Sequence, residues 1–299
     1  MSAETQTLNL SDGRTIAWCE CGDTSSTRPP IFYFHSMPSS RYEGALWHDP
    51  GLKYGLRVIS PDRPGMGLSS HDSKRTFLSY PTDILELAAR LSVSQFRVLS
   101  VSGGGPYAFA CLKSLPKETC LGGQIVSAIY PLKFGVKEMS LMRQMVMHLS
   151  YWTPDLLGWL MDWQLGGAAR DPDPKKLKDM LEKTSKDLPE RDQMALLEGK
   201  TGSIVLEALR ESCKGGAPGI ARESQLLALD WGFELEDIDL EGRDLTIWHG
   251  KQDANCPFSM AEKAASLLSG TETRFLGEDG HSVFAYHTEA IMKNFAAAP

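Results

Sequence analysis

The sequence predicts an α/β protein: a mostly parallel central sheet flanked by helices, with an inserted helical lid. Three observations lead there. Strand-like and helix-like segments alternate at both ends of the 299-residue chain. The first two strand-like segments flank a hairpin turn. A long middle segment then breaks the alternation with apolar helical stretches rich in Met and Trp.

Taken in order, residues 7–10 and 15–19 lie on either side of Ser11-Asp-Gly-Arg, a turn signal between two short strands. Apolar runs follow at residues 31–34, 56–59 and 96–101. Each is too short for a helix, is bounded by turn residues, and reads as a buried strand. Residues 124–129, 245–248 and 273–276 continue the series, while 81–91, 106–115 and 259–268 carry helical periodicity. The length allows one large domain, or a core with a lid. We place the core in residues 1–132 and 232–299 and the helical cap in 133–231.

The cap segment holds Met139, Met142, Met145, Met147 and Met161 with Trp152, Trp159 and Trp163, followed by a polar stretch over 171–192. Most such side chains must join cap to core. Flexible thioethers and large rings also suit a broad apolar ligand, and Met145, Trp152 and Trp159 are the candidates for lining its pocket.

Composition excludes several classes. A net charge of −7 leaves no excess of Lys and Arg to displace phosphate counterions, so no nucleic-acid partner is expected. No apolar run approaches the ~20 residues of a membrane span. The stretch Met1-Ser-Ala-Glu-Thr-Gln-Thr has neither a basic nor an apolar leader segment. The six cysteines (Cys19, Cys21, Cys111, Cys120, Cys213, Cys256) are scattered rather than framed as a disulfide scaffold. Cys19 and Cys21 share one strand face, yet no second pair completes a metal site. The expectation is a cytoplasmic protein with reduced thiols, no metal and no cofactor. The sequence leaves its oligomeric state open.

Three segments carry chemistry. In Phe96-Arg-Val-Leu-Ser-Val-Ser102-Gly-Gly-Gly-Pro a buried strand runs into a small-residue turn and a helix opens at once. That context defines a nucleophile elbow, which lifts a serine above the sheet and tolerates only small neighbours. In Phe275-Leu-Gly-Glu-Asp-Gly-His281 an imidazole follows a strand and a flexible turn, placed to act as a general base on Ser102. In Leu245-Thr-Ile-Trp-His-Gly-Lys-Gln-Asp253 a carboxylate follows another strand, 28 residues before His281, where it can fix the imidazole tautomer. His35 and His249 end strands and read as loop-shaping. His48, His71, His148 and His287 lack that context. Glu278 and Asp279 read as a surface acid pair, and no acid follows the strand at 124–129.

The chain order Ser102, Asp253, His281 is the order of one fold family. Over nearly all of residues 7–295 the sequence resembles the α/β-hydrolase superfamily, in its serine-nucleophile branch with a helical cap. Phe32-Tyr-Phe-His35-Ser-Met-Pro38 resembles the family's His-Gly-x-Pro loop, and Asp62-Arg-Pro-Gly-Met-Gly-Leu-Ser69 its Asp-x-Pro-Gly-x-Gly-x-Ser turn. Ser36 and Ser100 stand where the family has glycine. The resemblance implies an oxyanion hole from the backbone N–H groups of Met37 and Gly103, with His35 and Asp62 forming loops. It implies hydrolysis of an ester-type bond (carboxylic ester, lactone or thioester) of a hydrophobic small molecule through an acyl-enzyme. Relatives that open epoxides or remove halide use an aspartate nucleophile, which Ser102 argues against. Carbon–carbon bond hydrolases and cofactor-free lyases or cyclases share the same constellation. A small-molecule receptor with weak turnover is a further alternative, from outside the enzymes.

Overall fold

The computed structural model describes residues 4–298. Among these, eight strands form one sheet: β1 (Gln6–Asn9), β2 (Thr15–Gly22), β3 (Ile31–Phe34), β4 (Arg57–Pro61), β5 (Phe96–Val101), β6 (Cys120–Val126), β7 (Asp244–Gly250) and β8 (Glu272–Leu276). Their spatial order is β1-β2-β4-β3-β5-β6-β7-β8. β2 is antiparallel to both β1 and β4, and every pairing from β4 through β8 is parallel. Strand order therefore reverses around β3 and β5, the switch point where an open parallel sheet leaves a crevice at its carboxyl ends.

Period-two alternation divides each central strand between two cores. Phe32, Phe34, Val98, Ile125 and Ile247 face one layer, which includes α2 (Tyr80–Arg90), α3 (Gly105–Ser114) and α11 (Phe258–Leu267). Ile31, Tyr33, Leu99, Val101, Val126 and Trp248 face the other, against Trp47 and the Ile291, Met292 and Phe295 side chains. That second layer is made by α1 (His48–Tyr54), the short α12 (Val283–Tyr286) and α13 (Thr288–Ala297). Burial on both faces is why these strands read as continuous apolar runs.

One strand lies earlier than the sequence reading placed it: β6 spans Cys120–Val126 rather than 124–129. The Gly122–Gly123 pair looks like a turn, but a side chain on Gly123 would collide with the Val98 carbonyl of β5. Glycine here lets two strands approach, and β5 pairs with β6 from Val98↔Gly123 to Val101↔Val126.

Between β6 and β7 the chain forms α4 (Leu141–Trp152), α5 (Pro154–Met161), a π-helical turn over Asp162–Gly166, α6 (Gly167–Arg170), α7 (Pro174–Thr184), α8 (Glu190–Leu197), α9 (Gly199–Ser212) and α10 (Ala217–Ala228). α5 lies close on α10: a β-carbon on Gly158 would sit 2.5 Å from that of Ala221. Two buried charge clusters tie these helices to the sheet. Arg41 pairs with Asp62 at 2.5 Å and with Glu211 of α9 at 2.7 Å. Glu223 of α10 pairs with Arg63 at 2.8 Å and Arg75 at 2.7 Å, and accepts the Tyr107 hydroxyl at 2.7 Å. Buried charges survive only when paired in this way, because an uncompensated one costs several kcal/mol. No helix among the described residues is long and apolar enough to cross a membrane.

Candidate active site

Ser102 follows β5 directly and takes a left-handed conformation, φ +51°. A non-glycine residue rarely adopts it, and the strain persists because the flanking strand and helix fix both ends. The glycines after it are required by contact. A β-carbon on Gly104 would strike the Phe34 carbonyl, and one on Gly103 would lie 2.6 Å from the Met37 β-carbon. The elbow and the loop after β3 thus touch backbone to backbone.

Asp253 leaves the end of β7 and is fully buried. Its Oδ1 accepts the Asn255 and Cys256 N–H groups, both at 2.8 Å, and its Oδ2 lies 2.8 Å from His281 Nδ1. His281 Nε2 in turn lies 3.0 Å from Ser102 Oγ. With the proton on Nδ1 donated to Asp253, Nε2 is left to accept from the serine hydroxyl. Burial disfavours the imidazolium, but the Asp253 charge and its hydrogen bond outweigh burial and hold the His281 pKa well above 6.5. Burial likewise opposes the Asp253 carboxylate, and the His281 charge and hydrogen bond overcome it, lowering the Asp253 pKa.

The loop carrying His281 is fixed from the helical insertion. Asp192 of α8 accepts the His281 N–H at 2.9 Å and the Ser282 N–H at 2.8 Å, one on each carboxylate oxygen. Asp279, expected as half of a surface pair, is buried, 2.8 Å from His287 Nε2 and 3.0 Å from Arg191. Glu278 is exposed. The difference arises because the turn folds inward under α8.

The loop after β3 is held by charge. Arg63 donates to the carbonyls of His35 and Ser36, the latter at 2.9 Å. The Ser36 N–H and hydroxyl both donate to Glu43 Oε2, at 2.8 and 3.0 Å. The hydroxyl that replaces the family's glycine hydrogen is therefore absorbed by a buried carboxylate. The Met37 N–H has no acceptor among the described residues. His35 is buried between Ser36 O and the Arg63 N–H, and Asp62 accepts the N–H groups of Arg41 and Leu68, so both shape loops. His249 does so too, bonding Cys256 O at 2.8 Å. Ser100 is fully buried in β5, and its hydroxyl has no partner among the described residues.

A cavity of about 380 Å³ opens above Ser102 and His281. Its apolar wall comes from the insertion, with Met161, Leu165, Met180, Leu181 and Leu188 among its residues. The sequence candidates Met145, Trp152 and Trp159 do not line it. They are 51%, 67% and 57% exposed on the outer surface. α4 and α5 carry apolar residues around most of their circumference, so periodicity does not single out an inner face. α4 turns Arg143 and Met147 inward, and α5 turns Leu157 and Gly158.

All six cysteines are free and buried. Asp253, Cys256 and His281 each place one potential ligand atom within 4.8 Å of the others, the one such group among the described residues. A metal there would take the imidazole away from the carboxylate that orients it, so the cluster fits proton transfer better than ligation.

No family model matches the chain, and no curated protein matches its sequence. Solved structures do match. An esterase from Exiguobacterium antarcticum aligns at 20% identity and TM-score 0.65, covering 98% of both chains. The enol-lactonase from Burkholderia xenovorans LB400 aligns at 15% identity and TM-score 0.67, over 97% of this chain and 98% of the other. An α/β hydrolase fold protein from Nakamurella multipartita aligns at 18% identity and TM-score 0.65, again over 98% of both. Together with the eight-stranded sheet, these matches define the architecture: this chain has the α/β-hydrolase fold.

Proposed function

We propose that the protein is a serine hydrolase that cleaves an ester-type bond of a largely apolar small molecule, with Ser102, His281 and Asp253 as catalytic triad. The observation that carries this reading is the unbroken hydrogen-bond chain from Ser102 Oγ to Asp253 Oδ2, ending on a serine that opens into a cavity. The Ser102 oxygen attacks the substrate carbonyl carbon while His281 Nε2 takes the hydroxyl proton. Negative charge on the carbonyl oxygen is met by the N–H groups of Met37 and Gly103. His281 returns the proton to the leaving oxygen as the tetrahedral adduct collapses to an acyl-enzyme, and water then repeats the cycle in reverse. Residues 133–231 act as the cap that shields this exchange from bulk water. The six buried thiols support a reducing compartment, the cytoplasm.

The test is labelling with a fluorophosphonate probe, followed by mass spectrometric location of the adduct. Labelling at Ser102 that disappears in His281→Ala supports an activated nucleophile. A folded protein that stays unlabelled, or is labelled elsewhere, overturns the reading.

A further inference from the structure

The catalytic cavity is lined by one arginine, and its side chain has no ion-pair or hydrogen-bond partner among the described residues. Arg143, in the first turn of α4, lines the cavity together with Ser102 and His281. Its Nε is buried and has no hydrogen-bond partner, and its guanidinium makes no ion pair among the described residues. Arg143 as a whole is half-buried at the cavity wall, so its guanidinium is left without a protein acceptor at a place where a ligand can supply one. The carboxylates that share the cavity are already occupied. Asp192 spends both oxygens on backbone N–H groups of the His281 loop, and Glu43 takes the N–H and hydroxyl of Ser36.

We propose that Arg143 is a specificity residue that binds a carboxylate on the substrate, so that the favoured ester is amphiphilic: an acyl or alkyl body with a free carboxylate. A guanidinium offers a planar fork that matches the two oxygens of a carboxylate. Arg143 is the one Lys or Arg among the residues lining the cavity. The lining holds one cation beside two carboxylates, Glu43 and Asp192, so a dianionic phosphate is disfavoured and a single carboxylate is the anion this arginine suits. Neutral polar side chains, Gln164, Thr184 and Asn255, complete the polar part of the wall. Asn255 and Arg143 also border a smaller apolar pocket beside Tyr130 and Met260, so the cation stands where the catalytic cavity meets a second recess. The substrate then spans from the Ser102 hydroxyl to Arg143, with its apolar body against the Met and Leu side chains of the cap.

This proposal rests on the hydrolase reading for the position of the ester, but recognition of the anion is separable from turnover. The experiment uses matched pairs: 4-nitrophenyl monoesters of dicarboxylic acids from succinate to suberate, and the same compounds with the free carboxyl capped as a methyl ester. Binding is measured by calorimetry on Ser102→Ala, and KM and kcat on the chain with Ser102 intact. At the chain length that spans the cavity, the free acid is expected to bind about 10- to 100-fold more tightly than its capped partner, the size of one charge-assisted contact. Arg143→Met should bring that ratio close to one, and Arg143→Lys should restore part of it, with the change falling on KM rather than kcat. A merely structural arginine would alter both members of a pair together. Equal binding of free and capped esters at every length by the otherwise unaltered Ser102→Ala chain overturns the proposal, as does a preference that survives Arg143→Met. Selective binding of the free acids without any turnover by the unsubstituted chain would uphold Arg143 and overturn the hydrolase reading instead.

Discussion

Removing the Asp192 carboxylate tests whether the helical insertion holds His281, the proposed catalytic base, in place. Asp192 lies on α8, contributes nothing to the Ser102–His281–Asp253 chain itself, and accepts the N–H groups of His281 and Ser282 at 2.9 and 2.8 Å. A hydrogen bond to a charged group is worth roughly 1.5–3 kcal/mol. The Ser282 N–H is buried and would lose its partner outright, whereas the His281 bond is partly exposed and water from the cavity can replace part of it. Asp192→Ala is therefore expected to cost about 2–4 kcal/mol in total. At roughly 1.6 °C per kcal/mol for a chain of this size, the melting temperature should fall by roughly 3–6 °C. The effect on activity should be larger in proportion, because a base displaced by about 1 Å can lose 10²-fold in rate. Asp192→Asn keeps one acceptor oxygen but turns an NH₂ toward the other N–H, and should fall between the two. The assay pairs thermal unfolding with the rate of fluorophosphonate labelling at Ser102, measured well below the melting temperature. An Asp192→Ala protein that melts earlier but labels at the original rate would refute the positioning role and leave only a structural one. Unchanged melting and labelling would refute both.

Three further expectations follow from the same geometry. Gly103→Ala places a methyl group 2.6 Å from the Met37 β-carbon, so it should push apart the two N–H groups proposed to meet the developing oxyanion. A loss of about 10²–10³ in kcat is expected, with KM little changed; kinetics equal to those of the parent would remove Met37 and Gly103 from the mechanism. The pH dependence of kcat/KM reports the free base. In the proposed mechanism His281 acts when neutral, and its pKa is held above 6.5 by Asp253 despite burial, so activity should rise with pH through a midpoint above 6.5. Asp253→Asn removes the charge that raises this pKa and should shift the limb to lower pH, with a loss of roughly 10⁴-fold in kcat from the wrong tautomer. A limb that stays in place in that variant would show that the Asp253 charge does not control the base.

Much of the site was legible because its parts are local. Ser102, Asp253 and His281 each sit within a few residues of a strand end, and strand, turn and residue type together mark such positions without any knowledge of their partners. The same holds for the glycines of the elbow. The helical insertion between β6 and β7 was harder to read. Asp192, Glu211 and Glu223 look in sequence like solvated acids on amphipathic helices, yet each reaches a buried partner in the core. Asp279 was misjudged for the same reason, since the inward path of its turn depends on α8 above it.

By itself, then, the sequence determined the alternating framework, the strand ends that carry the serine, aspartate and histidine, and their order along the chain. Only the tertiary structure decided which face of each inserted helix turns inward. It set Met145, Trp152 and Trp159 on the outside, brought Met161, Leu165 and Arg143 to the cavity, and assigned Asp192 to the His281 loop. The physical reason is that a helix apolar on several faces can bury any of them, and the choice is made by what packs against it from distant parts of the chain.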